Sequence, residues 1–134
     1  MKKEPYQIAF IGGGINSAIG EVHKAASQMD GHFELVAGAF STHDETNQQT
    51  AKTWGVAPER TYANYHELLE AEKGKLDALV VLAPTDLHKE IVIDALKAGY
   101  PVICEKSLAT SVAEGEAIAQ TTRSEERFSR NAET

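Results

Sequence analysis

Three consecutive glycines at the end of an apolar run limit what this chain can become. Gln7-Ile8-Ala9-Phe10-Ile11 reads as a short buried strand, and Gly12-Gly13-Gly14-Ile15-Asn16-Ser17 follows it directly. Glycines at a strand end permit a tight turn and bring backbone N–H groups close to a phosphate. After the turn, Ala18, Ile19, Val22, Ala25, Ala26 and Met29 recur at three- and four-residue steps, which predicts a helix with its N-terminus facing the glycines. The positive end of that helix would meet a pyrophosphate, as in a nucleotide-binding βαβ unit. Gly12-x-Gly14 fits the first two positions of the dinucleotide fingerprint. The third is either Ser17 or a displaced Gly20, and both registers stay open. Taken alone, the stretch also fits a glycine-rich turn that binds nothing.

Downstream the pattern alternates. Asp30-Gly31 makes a turn, Phe33 to Phe40 reads as a second buried strand, and Asp44 to Trp54 as a helix stopped by Gly55. Tyr62 falls in a short third strand, and Tyr65 to Glu72 forms a brief helix carrying Leu68 and Leu69. Leu76 to Ala83 is the clearest strand, and the helix after it shows Ile91, Val92, Ala95 and Leu96 on one face before Gly99 ends it. Pro101 to Cys104 is the next strand, its proline first, where a missing N–H is tolerated. Ser111 caps a last helix through Val112, Ala113, Ala117 and Ile118. This alternation predicts an α/β fold: a doubly wound parallel sheet of the Rossmann dinucleotide-binding type, with ligands at the carboxyl ends of the strands.

Residues 1–122 are expected to form that single domain. Residues 123–134, from Arg123-Ser124-Glu125-Glu126 onward, lack periodicity and match the translation of a widely used short-read sequencing adaptor. The expectation is therefore a non-native or disordered tail on the truncated front of a longer protein. A net charge of −7 argues against a nucleic-acid partner, which needs Lys and Arg gathered on one face. No apolar run has the length of about 18 residues that spans a membrane, and Met1-Lys2-Lys3-Glu4-Pro5 enters the first strand without a leader, so a cytoplasmic location is expected. Cys104 is the only cysteine, which rules out an internal disulfide.

Binding an adenosine ribose usually takes a carboxylate at the end of the second strand. Phe40, Ser41 and Thr42 stand there instead, and no Lys or Arg follows until Lys52, so neither NAD nor NADP is excluded. Leu82-Ala83-Pro84-Thr85-Asp86-Leu87-His88 joins a strand end, a turn and an imidazole. His88 then lies in the first turn of a helix, either structural or in contact with cofactor or substrate. Cys104-Glu105-Lys106-Ser107 leaves the next strand at the same edge. A lysine beside a partly enclosed pocket polarises a substrate hydroxyl or carbonyl, and this position favours that role over a solvated ion pair. Cys104 reads as a core thiol rather than a nucleophile. No metal is expected: His66-Glu67-Leu68-Leu69-Glu70 begins like a zinc-protease helix but has Glu70 where the second histidine must be.

Four features in order carry a resemblance: the Gly12-Gly13-Gly14 strand with Ile19-Gly20-x-x-His23, Glu34-Leu35-Val36-Ala37, Pro84-x-x-x-His88, and Glu105-Lys106. The chain resembles the N-terminal domain of the glucose–fructose oxidoreductase, inositol dehydrogenase and rhizopine catabolism (Gfo/Idh/MocA) family over roughly Gln7 to Gln120. The resemblance implies a domain that binds NAD or NADP. A second α+β domain, absent here, would supply the substrate pocket and often the interface of a homo-oligomer. It implies that Gly12, Gly14, Ile15 and Asn16 line the pyrophosphate, and Ser41 and Thr42 the ribose. Leu82, Ala83, Pro84 and His88 would line the stretch between adenosine and nicotinamide. Glu105 and Lys106 would lie beside the nicotinamide, with Lys106 the catalytic residue that also reaches the substrate hydroxyl. The family's Glu-Lys-Pro stands here as Glu105-Lys106-Ser107.

The implied activity is hydride transfer between nicotinamide and a sugar, cyclitol or related polyol, with this fragment binding cofactor without turnover. The alternative is a non-catalytic module that binds or senses NAD(H). A methyltransferase on the same sheet is disfavoured, because Phe10 and Ile11 precede the glycines where an acid would be expected.

Overall fold

A computed structural model describes residues 5–133, apart from the side chains of 126–133. The elements are β1 (Tyr6–Gly12), α1 (Ala18–Gln28), β2 (Phe33–Ala39), α2 (Asp44–Trp54), α3 (Tyr65–Ala71), β3 (Ala78–Leu82), α4 (His88–Lys97), β4 (Val102–Cys104) and α5 (Val112–Glu133). All strand pairs are parallel, in the order β2-β1-β3-β4. The chain leaves β1 for β2 on one side and returns to β3 on the other. That reversal opens a crevice above the carboxyl ends of β1 and β3, where open α/β sheets bind ligands.

The two central strands, β1 and β3, divide their side chains between two cores, as a pleated strand covered on both faces must. Ala9, Ile11, Leu79 and Val81 pack with Leu68, Ile91, Val92, Ala95 and Ile118. Ile8, Phe10, Val80 and Leu82 pack on the other face with Phe40, Ala51 and Val56, against which Trp54 and Ile19 lean. Phe10, Phe40 and Trp54 meet edge to face, with centroids 5.7 to 6.4 Å apart. The doubly wound Rossmann-type sheet is therefore present as the alternation predicts.

One local expectation changes. The third strand around Tyr62 shrinks to one parallel bridge, Gly38 with Thr61. The Pro58–Arg60 3₁₀ turn ends just before it, and Asn64 already caps α3 just after, leaving no room for a ladder. Most of the apolar stripe that marks α1 faces away from the sheet: Val22 is 60% and Met29 81% exposed, Ile19 alone of the stripe leans on the core, and Gly20 is the helix's one buried residue. α5 runs past Thr122 to Glu133. Arg123, Glu125 and their neighbours are adequate helix formers with no Gly or Pro among them, so the helix has no local reason to stop. Ser111 does cap α5, its Oγ accepting from the Glu114 N–H at 3.2 Å. No helix among the described residues is long and apolar enough to cross a membrane.

The end of β2 is tied down by one buried side chain. Asn47 Oδ1 accepts from the Phe40 N–H (2.8 Å), and its Nδ2 donates to the Tyr62 carbonyl (2.8 Å). Asn47→Ala strands both backbone groups, at about 1–3 kcal/mol for each that water does not reach. A loss of roughly 3 kcal/mol in urea unfolding is expected, and a loss below about 1 kcal/mol would contradict the tie.

Candidate active site

The crevice is built first from glycine. Gly12 and Gly13 have φ of 81° and 70°, and a Cβ on Gly12 would stand 2.7 Å from Ala83 N. The ends of β1 and β3 therefore approach more closely than any side chain allows. Ser17 is the N-cap of α1, its side chain accepting from the Gly20 N–H (3.3 Å). A Cβ on Gly20 would lie 1.9 Å from the Gly13 carbonyl oxygen. This settles the register: Gly20 takes the helix-packing role of the third fingerprint glycine, and Ser17 the cap.

A cavity of about 960 Å³ opens above this turn, at the upper end of the roughly 300–1,000 Å³ of small-molecule sites. Of the residues expected to bind cofactor, Gly12, Gly14, Asn16, Ser41, Thr42, Leu82, Ala83, Pro84, Glu105 and Lys106 wall it. Among the described residues, Lys106 is the only Lys or Arg that lines it. Ile15 and His88 do not line it. The Ile15 N–H is spent on Thr50 Oγ1 (3.0 Å), which itself donates to the Thr46 carbonyl (2.7 Å).

His88 is 1% exposed and lies beneath the floor. Its Nε2 is 2.7 Å from the Ala83 carbonyl oxygen and its Nδ1 2.7 Å from that of Ser107. A carbonyl only accepts, so a neutral ring donates to one of them at a time and a doubly protonated ring to both. Either way the imidazole braces the β3 turn against the loop that carries Lys106, the structural of the two roles that its position in the sequence left open.

Glu105 is held on two sides. Its Oε2 is 2.5 Å from His23 Nε2, and its Oε1 accepts from the Lys106 N–H at 3.1 Å. The His23 bond, then the Lys106 amide, keeps this carboxyl below its ordinary pKa, so it stays an anion beside Lys106. Cys104 Sγ lies 3.4 Å from His88 Nδ1, but burial, then the Glu105 charge, pushes the thiol pKa up. It remains a thiol, as its reading as a core residue requires.

The far wall is where sequence reasoning fell short. Ala63, Asn64, Tyr65, His66, Glu90 and Ile91 also line the cavity. The signal was the bridge at Thr61, whose carboxyl side opens onto the same edge as the strands. Here His66, Glu90 and Asp94 bring ligand-capable atoms within 4.8 Å of one another, a juxtaposition the spacing of the histidines did not show. Tyr65 Oη donates to Asp94 Oδ2 (2.8 Å), and burial together with that bond raises the phenol pKa and keeps it a donor. Exposed acidic groups gather in this way without an ion, and the cluster assigns no metal.

Residues 6–131 match the family model GFO_IDH_MocA, described as an oxidoreductase family with an NAD-binding Rossmann fold. Among curated proteins, the uncharacterized oxidoreductase YfiI of Bacillus subtilis (strain 168) is 37% identical over 119 residues, 86% of this chain and 30% of that protein. The crystal structure of an inositol dehydrogenase homolog from Azotobacter vinelandii complexed with NAD+ is 35% identical, with a TM-score of 0.87 over 92% of this chain and 32% of that one. The structure of that homolog with NADH and myo-inositol gives the same identity and TM-score, over 34% of its chain. The chain thus spans about a third of the length of the relatives it matches. From the glycine turn to the Glu105-Lys106 edge, this chain belongs to the Gfo/Idh/MocA oxidoreductase family and carries its NAD-binding Rossmann fold.

Proposed function

We propose that this chain is the cofactor-binding half of an NAD(P)-dependent dehydrogenase that acts on a sugar, cyclitol or related polyol. The observation that carries the reading is that Lys106 walls the same cavity as Gly12 and Gly14. A dinucleotide fits the residues present: glycines where a Cβ would collide, the N-terminus of α1 for the pyrophosphate, and the Ser41 and Thr42 hydroxyls for the ribose. Those hydroxyls neither repel nor clamp a 2′-phosphate, so the cofactor is NAD or NADP. When bound, the nicotinamide accepts or returns the hydride. Lys106 hydrogen-bonds the substrate hydroxyl that loses its proton as the carbinol carbon is oxidised to a carbonyl, and the proton passes to a base supplied by the rest of the full-length protein. Glu105 keeps an anion next to that lysine. In the full-length protein the remaining two thirds of the family's length supplies the polyol pocket and a homo-oligomer interface, in the cytoplasm.

Two measurements test this. Titration of the chain with NADH and NADPH, followed by fluorescence, is expected to show saturable binding of at least one. With NAD+ and myo-inositol the chain is expected to produce no NADH above the blank. Absence of any binding would remove the cofactor reading, and polyol oxidation at a normal rate would remove the division of labour.

A further inference from the structure

His23 does not line the cavity, yet it makes the contact that fixes the cavity's acidic edge. It lies on α1, one turn beyond Gly20, while Glu105 follows β4, 82 residues later in the chain. The two side chains are 28% and 25% exposed, and the imidazole stands edge-on to Phe10 (6.5 Å, 85°), which holds the ring's plane. Glu105 is anchored on its other side by the backbone. Its N–H donates to the Val81 carbonyl (3.0 Å), and its Oε1 accepts from the Lys106 N–H (3.1 Å). The height of α1 is itself set where Gly20 meets the Gly13 carbonyl. A continuous path therefore runs from the glycine turn, through α1 and the His23–Glu105 pair, to the backbone of Lys106.

We propose that His23 is a positioning residue: by holding Glu105 it keeps Lys106 in register with the Gly12–Gly14 turn, so that the two ends of one dinucleotide meet a single rigid frame. This rests on the reading of the cavity as a dinucleotide site. A partly exposed histidine–carboxylate contact adds little to global stability. Its value here is orientation, because without His23 the Glu105 carboxylate keeps the Lys106 N–H of the adjacent residue and is free to swing with its own rotamer.

The test compares NADH with ADP-ribose, which has the same adenosine and diphosphate but no nicotinamide. Both are titrated into the wild-type chain, His23→Ala and His23→Gln, with thermal midpoints measured in parallel. His23→Ala is expected to bind NADH roughly tenfold more weakly, the order of one lost charge-assisted hydrogen bond, and ADP-ribose within about twofold of wild type. His23→Gln, which keeps a donor for Glu105, is expected to recover most of the NADH affinity. A merely structural histidine would weaken both ligands together. If His23→Ala leaves the ratio of the two affinities unchanged, or if His23→Gln behaves like His23→Ala, the positioning role is overturned while the cofactor reading stands. If the wild-type chain binds neither ligand, the cofactor reading fails and this inference with it.

Discussion

A Gly20→Ala chain is expected to lose dinucleotide binding and part of its stability, although alanine is the better helix residue. In an exposed helix the exchange gains about 1 kcal/mol. At this position the new methyl would stand 1.9 Å from the Gly13 carbonyl oxygen and 2.5 Å from its carbon. Both obstacles are backbone, so no rotamer relieves the contact. To reach even 3.0 Å, α1 must retreat by about 1 Å or the glycine turn must deform. Overpacking against fixed atoms costs roughly 3 kcal/mol, which leaves a net loss near 2 kcal/mol after the helical gain. For a domain of this size that lowers the thermal midpoint by about 6–10 °C. The effect on binding is larger. The same 1 Å moves the N-terminus of α1 away from the diphosphate, and misplacement on that scale costs on the order of a hundredfold. Differential scanning fluorimetry and an NADH titration measure the two effects. A variant with wild-type midpoint and affinity would show that α1 is not held at this contact.

Gly20 also shows where a sequence stops being readable. Gly12-x-Gly14 after an apolar run announces a turn, because the demand for positive φ is local. Whether Ser17 or Gly20 completes the pattern depends on how near the helix comes to a carbonyl in the preceding turn, which is a tertiary distance. The same division recurs along the chain. The periodicity of Val22, Ala25 and Met29 finds α1 but not its covered face, since a period names a stripe and not its neighbour. Position alone puts His88 in the first turn of α4. Only the β4 loop, arriving with the Ser107 carbonyl, decides that its ring points under the cavity rather than into it. Glu105-Lys106 could be placed from the strand before it, whereas the partner that steadies it lies on a helix at the other end of the chain. Residues on strand ends could be placed at the cavity because topology gathers the strands' carboxyl ends at one edge. Those on the Tyr65 and Glu90 wall were missed because the strand expected beneath them is a single bridge.

Arg60→Ala is expected to cost about as much stability as Asn47→Ala, and its loss depends on pH. Glu72 is the C-cap residue of α3, its backbone N–H donating to the Leu68 carbonyl, and its carboxylate is 1% exposed. Arg60 donates to it twice, Nε to Oε2 at 3.0 Å and Nη2 to Oε1 at 2.5 Å, and Tyr62 Oη donates to Oε2 at 2.6 Å. Burial pushes this carboxyl's pKa up, but the Arg60 and Tyr62 hydrogen bonds and the guanidinium charge outweigh it and leave the value below its ordinary one. Burial and the bond to Glu72 push the Tyr62 phenol up to about 12, so it remains a donor throughout the neutral range. A depressed carboxyl stabilises the fold above its unfolded pKa of about 4.3, and that contribution disappears as pH falls through the lower folded value. Removing Arg60 reverses the sign. Burial then dominates, the folded carboxyl holds its proton more tightly than the unfolded one, and stability falls as pH rises toward 7. Breaking a buried pair costs about 3–5 kcal/mol, and because the Arg60 side chain is 29% exposed the lower figure applies. Urea unfolding of wild type and variant should therefore differ by roughly 3 kcal/mol at pH 7 and converge below about pH 4. Arg60→Met with Glu72→Leu, which removes both charges, is expected to regain most of the loss and to flatten the difference across pH. A pH-independent gap in the single variant would mean that Arg60 acts through its packing, and that the charge on Glu72 plays no part in joining the Pro58–Arg60 turn to the end of α3.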